Sequence, residues 1–179
     1  MFNTRSNHDS EAHMSELHVL GIGSPFGDDQ LGWEVVKLLQ RRPTLYHYTQ
    51  EQLHMACSDR PGMHLLELMR PAQTVFLIDA IKTGAALGTL HRFQNKEIEG
   101  IGDTLSTHAL GISEAMKIGA SLQILPQKII LYGVEIGDVL FQFELSESIK
   151  QTINALSVRV ESDILSALNG PSLNPSKAS

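Results

Sequence analysis

The sequence predicts an α/β fold, a three-layer α/β/α sandwich around a mostly parallel, twisted sheet of about five strands. Short apolar runs at 74–78 and 129–134 are typical of strands that are buried on both faces. Segments with apolar residues at helical spacing alternate with such runs along the chain. This alternation favours parallel βαβ units with helices on both faces of the sheet, and it leaves room for one antiparallel edge strand.

The first part of the chain predicts two strands and two helices. Residues 17–20 are an apolar run that leads into a glycine-rich turn, and apolar side chains then recur at helical spacing over 31–39. Residues 45–49 contain two tyrosines, which favour a weaker second strand. A short helix is predicted at 63–69, after a loop that contains proline and glycine.

The later part predicts an edge strand and two longer helices around the run at 129–134. A loop bounded by two glycines precedes the edge strand at 89–93. Apolar residues at helical spacing mark a helix over 112–122, with Ser106 or Thr107 as its cap. A continuous apolar stripe predicts the last helix over 149–164.

The chain of 179 residues is long enough for one domain with a real core. We expect this single domain to span residues 16–168. Residues 1–15 are polar and predict a flexible leader. Residues 169–179 are rich in proline, serine and asparagine, which predicts a disordered tail.

Composition excludes several classes of partner. The net charge of −6 and the pI near 5.7 argue against nucleic acids and anionic membranes as partners, because both call for a basic face. No apolar stretch approaches the roughly 20 residues of a membrane span, so we expect no membrane insertion. Cys57 is the single cysteine, which rules out an internal disulfide and suits a reducing compartment, so we expect a cytoplasmic protein.

Two aspartates and one histidine are the candidate functional residues. Asp29 follows the first strand and its glycine-rich turn, Asp79 ends the apolar run at 74–78, and His108 precedes a helical pattern. In a parallel sheet the residues that follow the strands gather at one edge, where ligands bind. Two carboxylates and an imidazole are a typical ligand set for a divalent metal ion.

A purely structural role is the alternative explanation for each of these residues. Asp28 and Asp29 also suit the start of a helix as capping residues, and a single histidine is commonly a capping or packing residue. Asp79 is harder to explain structurally, because an unpaired buried carboxylate costs several kcal/mol. Two carboxylates about 5 Å apart would repel by roughly 3 kcal/mol at an effective dielectric of 20, which a shared cation or proton would relieve.

Two other chemistries are disfavoured. The glycine-rich turn has Phe26 and two aspartates where a dinucleotide-binding turn needs its third glycine and a phosphate site, and no P-loop lysine follows, so no nucleotide cofactor is expected. Cys57 has no recognisable base or nucleophile motif, so we interpret it as a loop or packing residue.

Four motifs in order give the chain a family resemblance. They are Gly-Ile-Gly-Ser-Pro followed by an acidic pair at 21–29, Leu-Ile-Asp-Ala at 77–80, Ser-Thr-His at 106–108, and Leu-Tyr-Gly-Val-Glu at 131–135. With these motifs the chain resembles the nickel–iron hydrogenase maturation endopeptidases from about residue 16 to residue 165. The loop at 57–62 departs from the family pattern, because it lacks the usual glycine-rich turn.

The resemblance implies an endopeptidase that removes the C-terminal extension of a nickel–iron hydrogenase large-subunit precursor after nickel insertion. It implies that Asp29, Asp79 and His108 bind nickel carried by the substrate. Asp29 or Asp79 would act as general base, with Asp28 a weaker choice, and a metal-polarised carbonyl or water is the other route. The alternatives are a non-catalytic nickel-sensing or scaffold module that binds the large subunit, and another metal-assisted hydrolase.

Overall fold

The computed structural model describes residues 15–101, 107–138 and 143–170, and for residues 15 and 107–110 it describes the backbone alone. The strands are β1 (Ser15–Gly23), β2 (Leu53–Asp59), β3 (Ala72–Ile81), β4 (Leu90–Gln94) and β5 (Lys128–Glu135). The α-helices are α1 (Leu31–Leu39), α2 (Leu65–Met69), α3 (Lys96–Gly100), α4 (Thr107–Ser121) and α5 (Glu147–Asn169). Short 3-10 helices lie at Gly27–Gln30, Pro43–Leu45 and Gly62–His64.

Within these residues the five strands form one sheet in the order β2-β1-β3-β5-β4. The first four strands in this order are parallel, and β4 runs antiparallel to β5 at the edge. Gly23 at the end of β1 pairs with Asp59 at the end of β2, and Asp79 in β3 pairs with Gly133 in β5. The predicted mostly parallel sheet with an antiparallel edge strand is confirmed.

Helices cover both faces of the sheet, so the predicted three-layer sandwich is confirmed. On one face, the apolar stripes of α1 and α5 pack against alternate residues of the sheet, such as Val19, Phe76 and Tyr132. On the other face, α2, α3 and α4 pack against the intervening residues, such as Leu20 and Leu77. Both faces of the central strands are therefore buried, which explains why their sequences are apolar throughout.

Glycines bring α1 into backbone contact with the sheet. A Cβ atom added to Gly32 in α1 would lie 2.3 Å from the carbonyl oxygen of Ile22 and 2.4 Å from that of Ile78. A Cβ atom on Gly21 in β1 would lie 2.3 Å from the carbonyl oxygen of Gly32. The glycine-rich turn therefore serves close packing of a helix on two strands, and this contact fixes where α1 begins.

The predicted strand at 45–49 is wrong. Proline begins a 3-10 helix at Pro43–Leu45, and turns follow it up to β2 at Leu53–Asp59. The two tyrosines in this segment bind through their hydroxyl groups, Tyr46 to the carbonyl oxygen of Arg41 and Tyr48 to the side chain of Asn169. β2 escaped the sequence analysis because much of it is only half-buried and it contains histidine, cysteine and serine.

Other boundaries differ modestly from the predictions. Ser15, assigned to the leader, is the first residue of β1, and Asn169, assigned to the tail, is the last residue of α5. The rest of the predicted leader and tail, residues 1–14 and 171–179, lie outside the described residues, as does Ser106. Thr107 is the first residue of α4 rather than its cap. The short α3, with Ile98 as its buried residue, was not predicted.

No helix in the described parts of the chain is both long enough and apolar enough to cross a membrane.

We expect Gly32→Ala to destabilise the fold by about 3 kcal/mol, because the added methyl group would overlap the carbonyl oxygens of Ile22 and Ile78. Urea unfolding measures this loss. Gly100→Ala is the matched control, since a Cβ atom there has no heavy atom within 4 Å and alanine is the better helix former. Equal stability of the two variants would contradict the proposed role of the backbone contact.

Candidate functional site

Asp29 lies at the carboxyl edge of the parallel strands, in the 3-10 helix between β1 and α1. Its side chain is buried, with 4% of the residue exposed. Its backbone N–H donates to the carbonyl oxygen of Phe26 at 3.1 Å, and its own carbonyl oxygen accepts from Ser24 N–H at 3.3 Å. A Cβ atom on Gly23 would lie 2.2 Å from the same carbonyl oxygen. The turn is thus closed tightly on the end of β1, and Asp29 has little freedom to move.

Asp79 lies near the end of β3 and is fully buried. Its Oδ1 atom accepts a hydrogen bond of 2.9 Å from Ala80 N–H. Its Oδ2 atom is also buried and accepts no hydrogen bond from any residue that the structure describes. Burial raises the pKa of Asp79 well above its usual range, and the negative charge of Asp29 raises it further, against the opposing effect of the Ala80 hydrogen bond.

The structure therefore brings the two predicted carboxylates to one edge and into electrostatic contact. The cause is the packing of α1, because Gly32 sits directly on the carbonyl groups of Ile22 and Ile78. Ile78 precedes Asp79, and Asp29 lies three residues before Gly32, so this one contact places both carboxylates. Their proximity is energetically unfavourable when both are ionised, which makes the pair a site for a proton or a cation.

His108 is the second residue of α4, and its side chain lies outside the described residues. The beginning of α4 is at the same edge as the carboxylates, since a Cβ atom on Gly111 would lie 3.7 Å from Cα of Gly62, just after β2. Among the described side chains, no three histidine, cysteine, aspartate or glutamate residues are grouped to hold a metal ion. The three-residue metal site with His108 stays a prediction.

Asp28, the neighbour of Asp29, has a structural role. Its Oδ1 atom accepts from Ser146 N–H at 2.7 Å, and its Oδ2 atom accepts from the Ser146 hydroxyl group at 2.9 Å. Ser146 immediately precedes α5. Both oxygens of Asp28 are thus engaged in holding the start of α5, which leaves Asp29 as the acidic residue of this pair that faces Asp79.

Glu135 is a buried acidic residue of the same edge that sequence analysis did not single out as a site residue. It accepts hydrogen bonds of 2.8–3.0 Å from the backbone N–H and hydroxyl group of Thr83 and from Gly84 N–H. His91 lies 3.6 Å away. Burial opposes ionisation, but these donors and His91 together hold the pKa of Glu135 below its usual range. Glu135 therefore anchors the loop after β3 as a satisfied anion.

Cys57 is an exposed strand residue, so the loop-or-packing interpretation does not describe it, but its surroundings argue against a nucleophile. It lies in β2, and its thiol donates to the carbonyl oxygen of Trp33 at 3.8 Å. Desolvation raises the pKa of the Cys57 thiol, outweighing the nearby Lys37 charge, so the thiolate is disfavoured. A nucleophilic cysteine needs the opposite shift.

We expect Asp79→Asn to stabilise the protein increasingly as the pH rises above about 4, the ordinary range of an aspartate in an unfolded chain. The pKa of Asp79 is higher in the folded than in the unfolded state, so stability is greatest below the unfolded pKa and falls as the pH rises towards the folded pKa. Asparagine removes this dependence and keeps an oxygen that can accept from Ala80.

Urea unfolding of both proteins at several pH values measures the effect. Asp138→Asn is the matched control, because the side chain of Asp138 is fully exposed near the same edge. A stability difference between Asp79→Asn and the unmodified protein that stays constant with pH would show that Asp79 is not a strained, buried acid.

Comparison with known proteins places the chain in a family. The sequence model of the HycI hydrogenase maturation proteases matches residues 58–163. The hydrogenase expression/formation protein HupD from Thiocapsa roseopersicina is 27% identical over 123 residues, which cover 67% of this chain and 54% of HupD. The chain thus spans about half the length of that curated relative.

Two solved structures share the fold. The hydrogenase maturating endopeptidase HybD from Escherichia coli superposes with a TM-score of 0.73 at 23% identity, covering 83% of this chain and 91% of HybD. The maturation protease HycI from Thermococcus kodakarensis superposes with a TM-score of 0.61 at 24% identity, covering 84% and 92%. The family match extends over more than half of the sequence, and the chain therefore belongs to the hydrogenase maturation protease family.

Proposed function

We propose that this protein is an endopeptidase that removes the C-terminal extension of a nickel–iron hydrogenase large-subunit precursor after nickel insertion. We further propose that Asp29, Asp79 and His108 sense the nickel held by that substrate. Family membership supports the reaction class. The single observation that carries the assignment to these residues is the buried carboxylate pair at the carboxyl edge of the sheet.

The carboxylate pair is costly to the fold, which supports a functional role. Asp79 is fully buried, and its Oδ2 atom has no hydrogen-bond donor among the described residues. Asp28 and Glu135, two other acidic residues of this edge, are both satisfied by hydrogen bonds. A buried acid such as Asp79 lowers the stability of the fold. When it lies where ligands bind to a parallel sheet, it is typical of a catalytic or binding site.

The donor set suits a borderline divalent cation such as nickel. Aspartate oxygens and an imidazole nitrogen are ligands that such ions accept, and the available Oδ2 lone pairs of Asp79 fit this role. When bound, such an ion polarises a carbonyl group or a water molecule. In our proposal the ion belongs to the substrate, and Asp29, Asp79 and His108 contribute by holding a loaded precursor in register for cleavage.

The acid–base route is the alternative to the metal route, and in it Asp79 is protonated and does not bind the ion. Burial and the nearby charge of Asp29 raise the pKa of Asp79, which favours its protonated form and makes Asp79 the proton donor of the pair on this route. Asp29 takes a proton from water as the water oxygen attacks the amide carbon. Asp79 gives its proton to the leaving nitrogen as the C–N bond breaks, which yields a carboxylic acid and an amine.

The surface around the carboxylates suits a protein substrate. Three large apolar side chains project from loops near this edge: Met63 after β2, Leu87 after β3 and Phe143 before α5, with 45%, 63% and 73% of each residue exposed. Phe143 also contacts the turn of Asp29, through the Gln30 side chain and the Phe26 ring. Apolar residues exposed around a polar site are typical of protein-binding surfaces.

We expect Asp29→Asn and Asp79→Asn to reduce the processing rate about one hundred- to ten-thousand-fold, because each removes one proton-transfer group. Incubation with nickel-loaded precursor and mass spectrometry of the product measure the effect. Asp138→Asn and Cys57→Ser are controls that should process normally. A stable complex of the unmodified protein with uncleaved precursor would instead indicate a non-catalytic binding module.

We expect the unmodified protein to cleave nickel-loaded precursor and to leave nickel-free precursor uncut, since the proposed ligands recognise the ion on the substrate. His108→Ala should weaken this discrimination. His47→Ala is the matched control, because His47 is exposed and lies in the turns that precede β2, at the opposite edge of the sheet. Equal cleavage of both precursors by the unmodified protein would remove the sensing role and leave Asp29 and Asp79 as acid–base residues alone.

A further inference from the structure

A cavity of about 220 Å³ opens beside the turn of Asp29, between the loop after β2 and the beginning of α4. We call it the β2–α4 cavity. Its lining includes the apolar side chains of Ile22, Leu65 and Ile112 and the two glycines Gly62 and Gly111. Arg60, which is exposed, lies at its rim. The proposed reaction has so far used none of them.

The β2–α4 cavity lies near the turn that carries Asp29. The backbone N–H of Arg60 donates to the carbonyl oxygen of Gly23 at 3.3 Å, and Gly23 packs directly against the backbone of Asp29. The pKa of Arg60 is raised chiefly by its hydrogen bond to Asp59, and the charge of Asp29 contributes, which places the guanidinium group within electrostatic range of the site. A peptide bound at the carboxylates would therefore have neighbouring side chains near this cavity.

The size of the cavity fits one side chain. Pockets for drug-sized ligands measure roughly 300–1,000 Å³, so this cavity is too small for such a molecule. It exceeds the roughly 150 Å³ apolar cavity that is known to accept benzene, so it has room for a large aliphatic side chain. Its apolar walls favour such a group, and they disfavour lysine and arginine because burying an unpaired charge against apolar side chains is costly.

The backbone at the rim is strained. Arg60 has φ of +41°, in the left-handed region that favours glycine, and Gly62 has φ of +52°. An arginine in this conformation is uncommon and costs conformational energy. The segment at 57–62, which spans the end of β2 and the turn after it, is also where the sequence departs from the glycine-rich family pattern. The arginine is therefore a feature of this chain and is not required by the turn.

We propose that the β2–α4 cavity is a specificity subsite that takes a large, uncharged apolar side chain of the precursor next to the cleaved bond. The apolar walls of the cavity discriminate against basic side chains at that position. This inference rests on the proposed endopeptidase function.

Gly111→Leu is the variant that tests the cavity. The added Cβ atom would lie 3.7 Å from Cα of Gly62, an ordinary contact distance, and leucine is a better helix former than glycine, so α4 should remain folded. The rest of the leucine side chain would occupy the space proposed for the substrate. Gly100→Leu in α3 is the matched control, because it adds the same side chain to a helix at a position with open space.

The experiment measures kcat/KM on nickel-loaded precursors with leucine, alanine or lysine at each position flanking the cleaved bond. The unmodified protein and Gly100→Leu should prefer leucine over alanine at one of these positions by about ten- to two-hundredfold. Gly111→Leu should lose this preference, and every variant should cleave the lysine precursor poorly at that position because the apolar walls exclude its charge. The same leucine preference in Gly111→Leu and in the unmodified protein would overturn the inference.

A binding measurement separates failure of the subsite from failure of the proposed function. Peptides spanning the cleavage junction are titrated into the uniformly ¹⁵N-labelled protein, and the backbone amide signals of Gly62, Gly111 and Ile112 are followed. The leucine peptide should shift these signals and the lysine peptide should not. If no precursor is cleaved but these shifts occur, the proposed function fails, and the cavity stands only as a binding site for the apolar side chain. If precursors are cleaved but the leucine peptide leaves these signals unmoved, the subsite fails and the proposed function stands.

Discussion

The backbone contact between α1 and the ends of β1 and β3 is the constraint on which the rest of the site depends. Gly32 meets the carbonyl groups of Ile22 and Ile78 at distances that admit no side chain. This contact fixes the first turn of α1, and the first turn fixes the 3-10 helix that carries Asp29. Because Ile78 directly precedes Asp79, the same contact sets the spacing of the two carboxylates. The glycines of this region therefore allow the close packing of α1 on the sheet and are not explained by phosphate binding.

The acidic residues at the carboxyl edge divide by how well they are satisfied. Asp28 and Glu135 each accept several hydrogen bonds and hold neighbouring segments in place. Asp79 accepts one, from Ala80, and faces the charge of Asp29 across a buried region. Residues that make a fold less stable are retained where they serve another purpose. The contrast within one small cluster is what separates the structural acids from the candidate functional acids.

Much of the architecture could be predicted because the central strands are buried on both faces and read as continuous apolar runs. The positions of Asp29 and Asp79 followed from the same runs, since residues that follow parallel strands meet at one edge. β2 was missed because much of it is half-buried and polar. The strand wrongly predicted at 45–49 rested on Tyr46 and Tyr48, residues of a type that favours strands but that lie here in turns. Glu135 ends an apolar run just as Asp79 does, so the local sequence does not tell the two acids apart. The structural role of Glu135 comes from hydrogen bonds donated by Thr83 and Gly84, which are distant in sequence.

The hydrogen bonds between Asp28 and Ser146 join positions that are 118 residues apart in sequence. Ribosomes release a chain from its N-terminus, so the turn that carries Asp29 is made early while its partner segment before α5 is made late. The turn thus reaches its full set of hydrogen bonds only after nearly the whole domain has been synthesised. Nascent chains shorter than this have an unfinished turn, so the candidate site is complete only when translation of the domain is nearly finished.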